Sequence, residues 1–298
     1  MSYFFTKQKG FTMVEILIVI ILCAIIAMAA LGLYLASDKV FKKMKATSDV
    51  LEEMRSAMAT LDFVFSRWGV GVPCKNNNCT IGSSITPCDA TYPPSDPLCV
   101  KCNSGDLNSG CSDIEFYASL YGHGFVVDVK GTQADLISCR LSTDDDNNYY
   151  YIWQGEVVID YNGTGLPPVY ELSNLTPNNI VDCIENFTGS ANAQCNATII
   201  RKIDNATKIL QPGDIIIRVP HKVRLYVDSK SNDNGYWLYL EKTDMATYEN
   251  STTKVAKVKD LNSFKVYYAQ GHTLKLEIEF QSQSKPEKVL KIERYFAR

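Results

Sequence analysis

Between Ile16 and Ala36 lie 21 residues with no charged side chain and almost no polar one, ILIVIILCAIIAMAALGLYLA. As a helix rising about 1.5 Å per residue, this run spans roughly 30 Å, the thickness of a bilayer's hydrocarbon core. Ahead of it, Lys7, Lys9 and Glu15 are the only charges. The two lysines favour leaving the N-terminus in the cytoplasm, so the body of the chain is exported. A secretory signal peptide would have a shorter apolar core and a small-residue cleavage site after it, a pattern this segment does not follow. Glu15 separates a plain anchor from something more specific. A carboxylate at the edge of an apolar run is costly to bury, and is by default a functional-site hypothesis.

Cysteine usage agrees with export. Of the 10 cysteines only Cys23 lies in the apolar run. Cys74, Cys79, Cys88, Cys99, Cys102 and Cys111 crowd into a segment at 73–112 that is rich in Asn, Ser, Pro and Gly. Such density suits an oxidising compartment, and the segment reads as a disulfide-tied loop with little regular structure. Which of the six pair with which is not readable from sequence. Cys183 and Cys195 enclose a short polar segment and are expected to pair separately, leaving Cys139 as the odd thiol. Cys99-Val100-Lys101-Cys102 has the form of half a zinc site, but no histidine is near, and disulfides are the expectation. With 30 basic against 33 acidic side chains, the chain is no general polyanion binder.

The string Lys9-Gly10-Phe11-Thr12-Met13-Val14-Glu15, followed by the apolar run, resembles the class III signal of type IV pilins and type II secretion pseudopilins. The resemblance implies that a prepilin peptidase cuts between Gly10 and Phe11 and methylates the new Phe11 amine. Residues 1–10 would then be a leader and 11–37 the half of a long helix that spans the membrane and later forms the filament core. Gly10 suits such a cut because a backbone without a side chain can enter a narrow protease site. The new amine and Glu15 would each be expensive alone among apolar helices. Pairing Glu15 with the Phe11 amine of a neighbouring subunit offsets both costs and fixes the axial register.

Beyond the run the pattern becomes amphipathic over 38–69. Val40, Met44, Thr47, Leu51, Met54, Met58, Leu61, Phe65 and Trp68 step by four and three, and Val50, Ala57 and Val64 widen the stripe. One helix of roughly 85 Å is expected, ending before Gly69, Gly71 and Pro73. Gly32 is its one weak point, suited to local melting or to close helix packing. Strand-like runs follow at 114–120, 124–129, 134–141, 149–159, 197–203, 214–219, 222–227, 236–242, 263–269, 273–280 and 289–296. In the run 273–280, Leu274, Leu276, Ile278 and Phe280 alternate with Lys275, Glu277 and Glu279, as in a half-buried antiparallel sheet. The fold expected is α+β and type IV pilin-like. One long helix packs on an antiparallel β-sheet domain, 70–298, that carries the Cys-rich loop.

The segments 56–69, 258–268 and 286–293 are similar, as patterns, to PilW-like minor pilins and GspJ-type minor pseudopilins. The Cys-rich insertion departs from the usual GspJ pattern. The resemblance implies a structural, non-enzymatic subunit. It is made as an inner-membrane precursor and moves to a periplasmic or cell-surface filament. Its partners would be prepilin peptidase, other minor and major pilins and the inner-membrane assembly platform, with no small-molecule substrate. A minor pilin in a tip priming complex is the first expectation. The alternatives are a GspJ-like pseudopilin of type II secretion, or a tip adhesin or DNA-uptake subunit with a surface ligand.

Sites for other chemistry are weak. His123, His221 and His272 form no catalytic motif. Asp144, Asp145 and Asp146 offer oxygen ligands for calcium but lack EF-hand spacing, and read first as a solvated turn. No cofactor is expected, with calcium kept as a candidate. The aromatic segment 149–153 reads as a strand with alternating burial rather than a stacking surface for sugars or bases.

Overall fold

A computed structural model describes residues 12–130, 133–139, 149–178, 194–201, 210–229, 235–282 and 289–298. The long helix α1 runs Met13–Phe65, 53 residues or about 80 Å. It passes Gly32 unbroken. It ends three residues short of Trp68, where Ser66–Trp68 turn out of the helix and Trp68 bridges Ala118 instead. Gly69 has φ of 75°, and a Cβ there would collide with the Leu98 side chain. The chain reverses at the one residue type that fits both demands.

The half of α1 that packs is not centred on the expected stripe. Val40, Met44 and Leu51 are 56%, 66% and 37% exposed, and Thr47 is exposed too. The buried line is Ala46, Val50, Ala57, Leu61, Val64 and Phe65. Small side chains on that line let the sheet come close. The backbone N–H of Lys257 donates to Glu53 Oε1 at 2.9 Å, so a residue expected off the stripe contacts the sheet directly.

The described residues of the head form two antiparallel sheets. The first, here the scaffold sheet, has eight strands: β1 (Lys101–Cys102), β2 (Asp113–Ala118), β10 (His221–Asp228), β11 (Tyr236–Asp244), β12 (Asn250–Val258), β13 (Phe264–Gln270), β14 (Thr273–Gln281) and β15 (Val289–Ala297). Its order is β1-β2-β10-β11-β12-β14-β13, with β15 also on β14. β12 meets β14 only at Val258 and Phe280. Leu225, Leu238, Val266, Leu276 and Ile278 of its inner face share one core with Ala57, Leu61, Val64, Phe65 and Trp68. β15 lies along α1: Arg294 pairs with Asp62 at 3.3 Å, and Phe296 stacks on Phe65 with centroids 4.4 Å apart.

The second sheet has seven strands: β3 (His123–Lys130), β4 (Gln133–Cys139), β5 (Tyr149–Gln154), β6 (Val157–Val158), β7 (Tyr170–Asn178), β8 (Gln194–Arg201) and β9 (Ile215–Arg218). Its order, β6-β5-β7-β8-β4-β3-β9, closes on itself because β9 also pairs with β5. The result is a small barrel filled by its own side chains, among them Val126, Leu136, Tyr150, Ile152, Tyr170 and Ile216.

Sequence patterning did not reveal β7 or β12. β12 begins with five exposed residues and gains buried side chains only from Ala256, so it lacks the alternation that marks a strand. β7 contains Pro177 and two asparagines, residues that ordinarily argue against a strand.

Three disulfides tie the loop 74–111: Cys74–Cys79, Cys88–Cys99 and Cys102–Cys111. The two halves of this strap hold different things. The first half meets the barrel, through Asn77 Nδ2 donating to the Tyr161 carbonyl at 2.5 Å and Tyr92 to the Tyr151 hydroxyl at 3.2 Å. The second half meets the scaffold sheet, where Cys111 and Val266 exchange backbone bonds at 2.9 and 2.8 Å. Cys183 lies outside the described residues, so the pairing expected with Cys195 has no structural description. Cys139 ends β4, its backbone opposite His123.

Two tests follow from this packing. Leu61→Ala empties a fully buried position and is expected to lower head stability by about 2–5 kcal/mol, whereas Met44→Ala leaves it almost unchanged. Equal denaturant midpoints for the two variants would refute the placement of the buried line. The second concerns the buried phenols between strap, sheet and barrel. Burial raises Tyr92 and Tyr151, and burial with the nearby Glu115 charge pushes Tyr117 up to about 12. Unfolded tyrosines ionise near pH about 10, so above it the unfolded state binds fewer protons and stability falls as pH rises. The Tyr92→Phe/Tyr151→Phe chain lacks two of these groups and should lose less over that window. Identical pH profiles of the unfolding midpoint would exclude this account.

Candidate filament-assembly site

Every residue from 12 to 37 is exposed. Within this stretch stand Ile16, Leu17, Ile18, Val19, Ile20, Ile21 and Leu22, each at least half exposed. Burying one such side chain is worth about 1.5–3 kcal/mol, so the stretch as a whole carries a driving force of tens of kcal/mol into lipid or against other helices. None of the described residues of the head covers it. By length and composition α1 is able to cross a membrane.

Charge returns where the apolar run ends. Asp38 and Lys42 pair at 2.7 Å one turn apart, and Lys39, Lys43 and Lys45 follow. At the other end Glu15 sits in the first turn of the helix. Its Oε2 accepts the Thr12 N–H at 2.8 Å, while the Thr12 hydroxyl accepts the Glu15 N–H at 3.4 Å. This reciprocal capping box satisfies two of the helix's orphan donors and places a carboxylate at the positive end of the helix dipole. The Thr-x-x-Glu spacing was present in the sequence but was not read as a cap. Gly10 and Phe11 lie outside the described residues, immediately before this cap.

Other sequence candidates do not converge here. Asp144, Asp145 and Asp146 lie outside the described residues, and among the described residues no group of three or more His, Cys, Asp or Glu is placed to hold a metal. Tyr150 and Ile152 point into the barrel, and Tyr151 into the interface with Tyr117, so the aromatic strand is spent on packing. His123 is lowered by burial and by the Arg67 charge. His221 is buried at the junction of the two sheets, its Nε2 3.7 Å from Asp244 Oδ2, with Arg218 Nη2 3.9 Å from the same oxygen. Sequence reading missed this cluster, because Asp244 comes from a different strand than Arg218 and His221 and the three match no motif.

Residues 5–31 match the family model of the prokaryotic N-terminal methylation motif. The chain belongs to the type IV pilin and pseudopilin family. An uncharacterized protein of Aquifex aeolicus (strain VF5) is 32% identical over 241 residues, covering 78% of this chain and 76% of that protein. No solved structure matches. A pilin signal of this kind implies processing by prepilin peptidase and assembly with other pilins. It points to a structural subunit, anchored in the membrane as a precursor and later part of a surface filament.

Thr12→Val removes one arm of the cap and is expected to cost the helix end about 1 kcal/mol. Amide exchange of the full chain in detergent is the measurement. Protection in the first turn of α1 that matches wild type would show that the cap contributes nothing.

Proposed function

We propose that this pilin is a minor subunit of a type IV pilus, acting in a tip complex that primes assembly with other minor pilins. The observation that carries the proposal is the disproportion between rod and head. One uncovered apolar helix bears an eight-stranded sheet, a seven-stranded sheet and a three-disulfide strap. Helices can bundle at close spacing, but heads this wide obstruct one another when repeated along a fibre. A position at the end of the filament relieves that conflict.

In this reading prepilin peptidase cuts between Gly10 and Phe11, leaving residues 1–10 behind, and methylates Phe11. Residues 11–37 enter the filament core, 38–69 link core to head, and 70–298 form the exported domain. Glu15 then meets the Phe11 amine of an adjacent subunit. A carboxylate accepts several hydrogen bonds, so capping its own helix does not exhaust it. Out of register, an uncompensated charge would stay among apolar helices, at a cost of about 3–5 kcal/mol. The segment patterns are shared with both PilW-like pilins and GspJ-type pseudopilins, and the Cys-rich insertion, which departs from the usual GspJ pattern, favours the pilus over type II secretion.

Three measurements test this. Mass spectrometry should find a mature chain beginning at a methylated Phe11. Glu15→Leu should prevent entry into filaments while the head stays folded. Deleting the gene should abolish surface filaments. Normal filaments with lost adhesion or DNA uptake would replace priming with a binding role, and a mature chain beginning elsewhere would overturn the assembly reading altogether.

A further inference from the structure

β2 and β10 are antiparallel neighbours in the scaffold sheet, with Ala118 directly opposite His221. In a plain hairpin a short turn would join them. Here the whole barrel, 123–218, stands between them. Its entry and exit lie side by side: the Ser119 hydroxyl donates to the Arg218 carbonyl at 3.1 Å, and the Arg218 N–H donates to the Gly122 carbonyl at 3.3 Å. The ring β5-β7-β8-β4-β3-β9 closes back on β5 and has its own core, distinct from the one around α1. Adjacent termini, a closed ladder and a private core are the features that let a domain fold within another without disturbing it. None of the described barrel residues belongs to the core beneath α1.

We propose that residues 123–218 are an inserted module whose folding is separable from the scaffold, and that filament assembly uses only α1 and the scaffold sheet. The inference rests on the reading of this chain as an assembling pilin. Among the described residues, the barrel meets the rest of the head where Tyr151, Val158 and Tyr161 pack with Val72, Cys99, Tyr117 and Met245, and where Arg218 approaches Asp244. That interface is clamped from outside by the strap's Asn77 and Tyr92. The filament therefore carries the barrel as cargo on the scaffold, leaving the module free to vary while the assembling part stays constant.

The test uses the full chain. Leu136→Ala opens a cavity at a fully buried barrel position, and Leu276→Ala does the same in the scaffold. Amide exchange in detergent and recovery in sheared filaments are read for both. Leu136→Ala is expected to raise exchange in 123–218 by about tenfold or more, to leave the scaffold strands protected, and to enter filaments as wild type does. Leu276→Ala is expected to raise exchange in the scaffold and to be lost from filaments. If Leu136→Ala chains are not recovered, the milder Ile152→Val under sub-denaturing urea is judged by the same criteria. Exchange rising equally in both sheets overturns the separability of the module. Loss from filaments with the scaffold still protected overturns the claim that assembly ignores the barrel. Glu15→Ala is run in parallel: its normal entry into filaments would sink the assembly reading itself, and the exchange pattern would then decide separability alone.

Discussion

Water has no stable way to surround the first third of α1. A helix that is apolar on every side, from Ile16 to Ala36, has no face to turn outward, and none of the described residues of its own head folds over it. The rest of the molecule is arranged around that fact. The packed half of the helix begins at Ala46, after a band of charge that includes Asp38, Lys39, Lys42, Lys43 and Lys45. One continuous helix thereby joins two solvents, with hydrocarbon or other helices above and a protein core below. The single carboxylate near its start, Glu15, is held at the helix terminus by a reciprocal cap. In the filament we propose, a carboxylate at that position would set the register between neighbouring chains, because any misplacement leaves it uncompensated.

Below the charged band, closeness matters more than bulk. Ala46, Val50 and Ala57 are small, and the scaffold sheet comes near enough for a backbone N–H of β12 to reach Glu53. Larger groups fill the deeper layer, with Phe65 between Phe116 and Phe296. The strap then serves two clients. Its first two disulfides brace a loop that presses on the barrel, and its third braces the segment that bridges β13. A loop of Asn, Ser, Pro and Gly has little apolar surface of its own, and crosslinks replace the core it cannot build.

Much of this was legible in the sequence because the signals are local. Twenty-one uncharged residues, a glutamate at their edge, the Gly10-Phe11 pair and a cluster of six cysteines each act over a few positions. The alternation of Leu274, Leu276, Ile278 and Phe280 marked β14 directly. The centre of the helix's buried face was misjudged because Val40, Met44 and Leu51 fit a helical period as well as Val50 and Leu61 do. Periodicity reports that a stripe exists, but the partner decides where along the helix covering begins. β12 and β7 escaped for a related reason: only a few of their side chains enter a core, Ala256 and Val258 in one and Tyr170 and Leu172 in the other, while backbone pairing holds much of the rest.

The sequence by itself determined that the chain has a membrane-length rod with one acid near its start, and a cysteine-rich, strand-rich body. Those properties depend on composition and short-range spacing, which need no knowledge of what lies across space. Only the tertiary structure decided that β2 and β10 are neighbours with a closed barrel between them, that β9 returns to β5, and that Arg218, His221 and Asp244 meet at the junction. Most of these pairings join segments far apart in the chain. Hydrogen bonds between backbones carry no residue code, so which strand finds which is settled by the packing of all of them together.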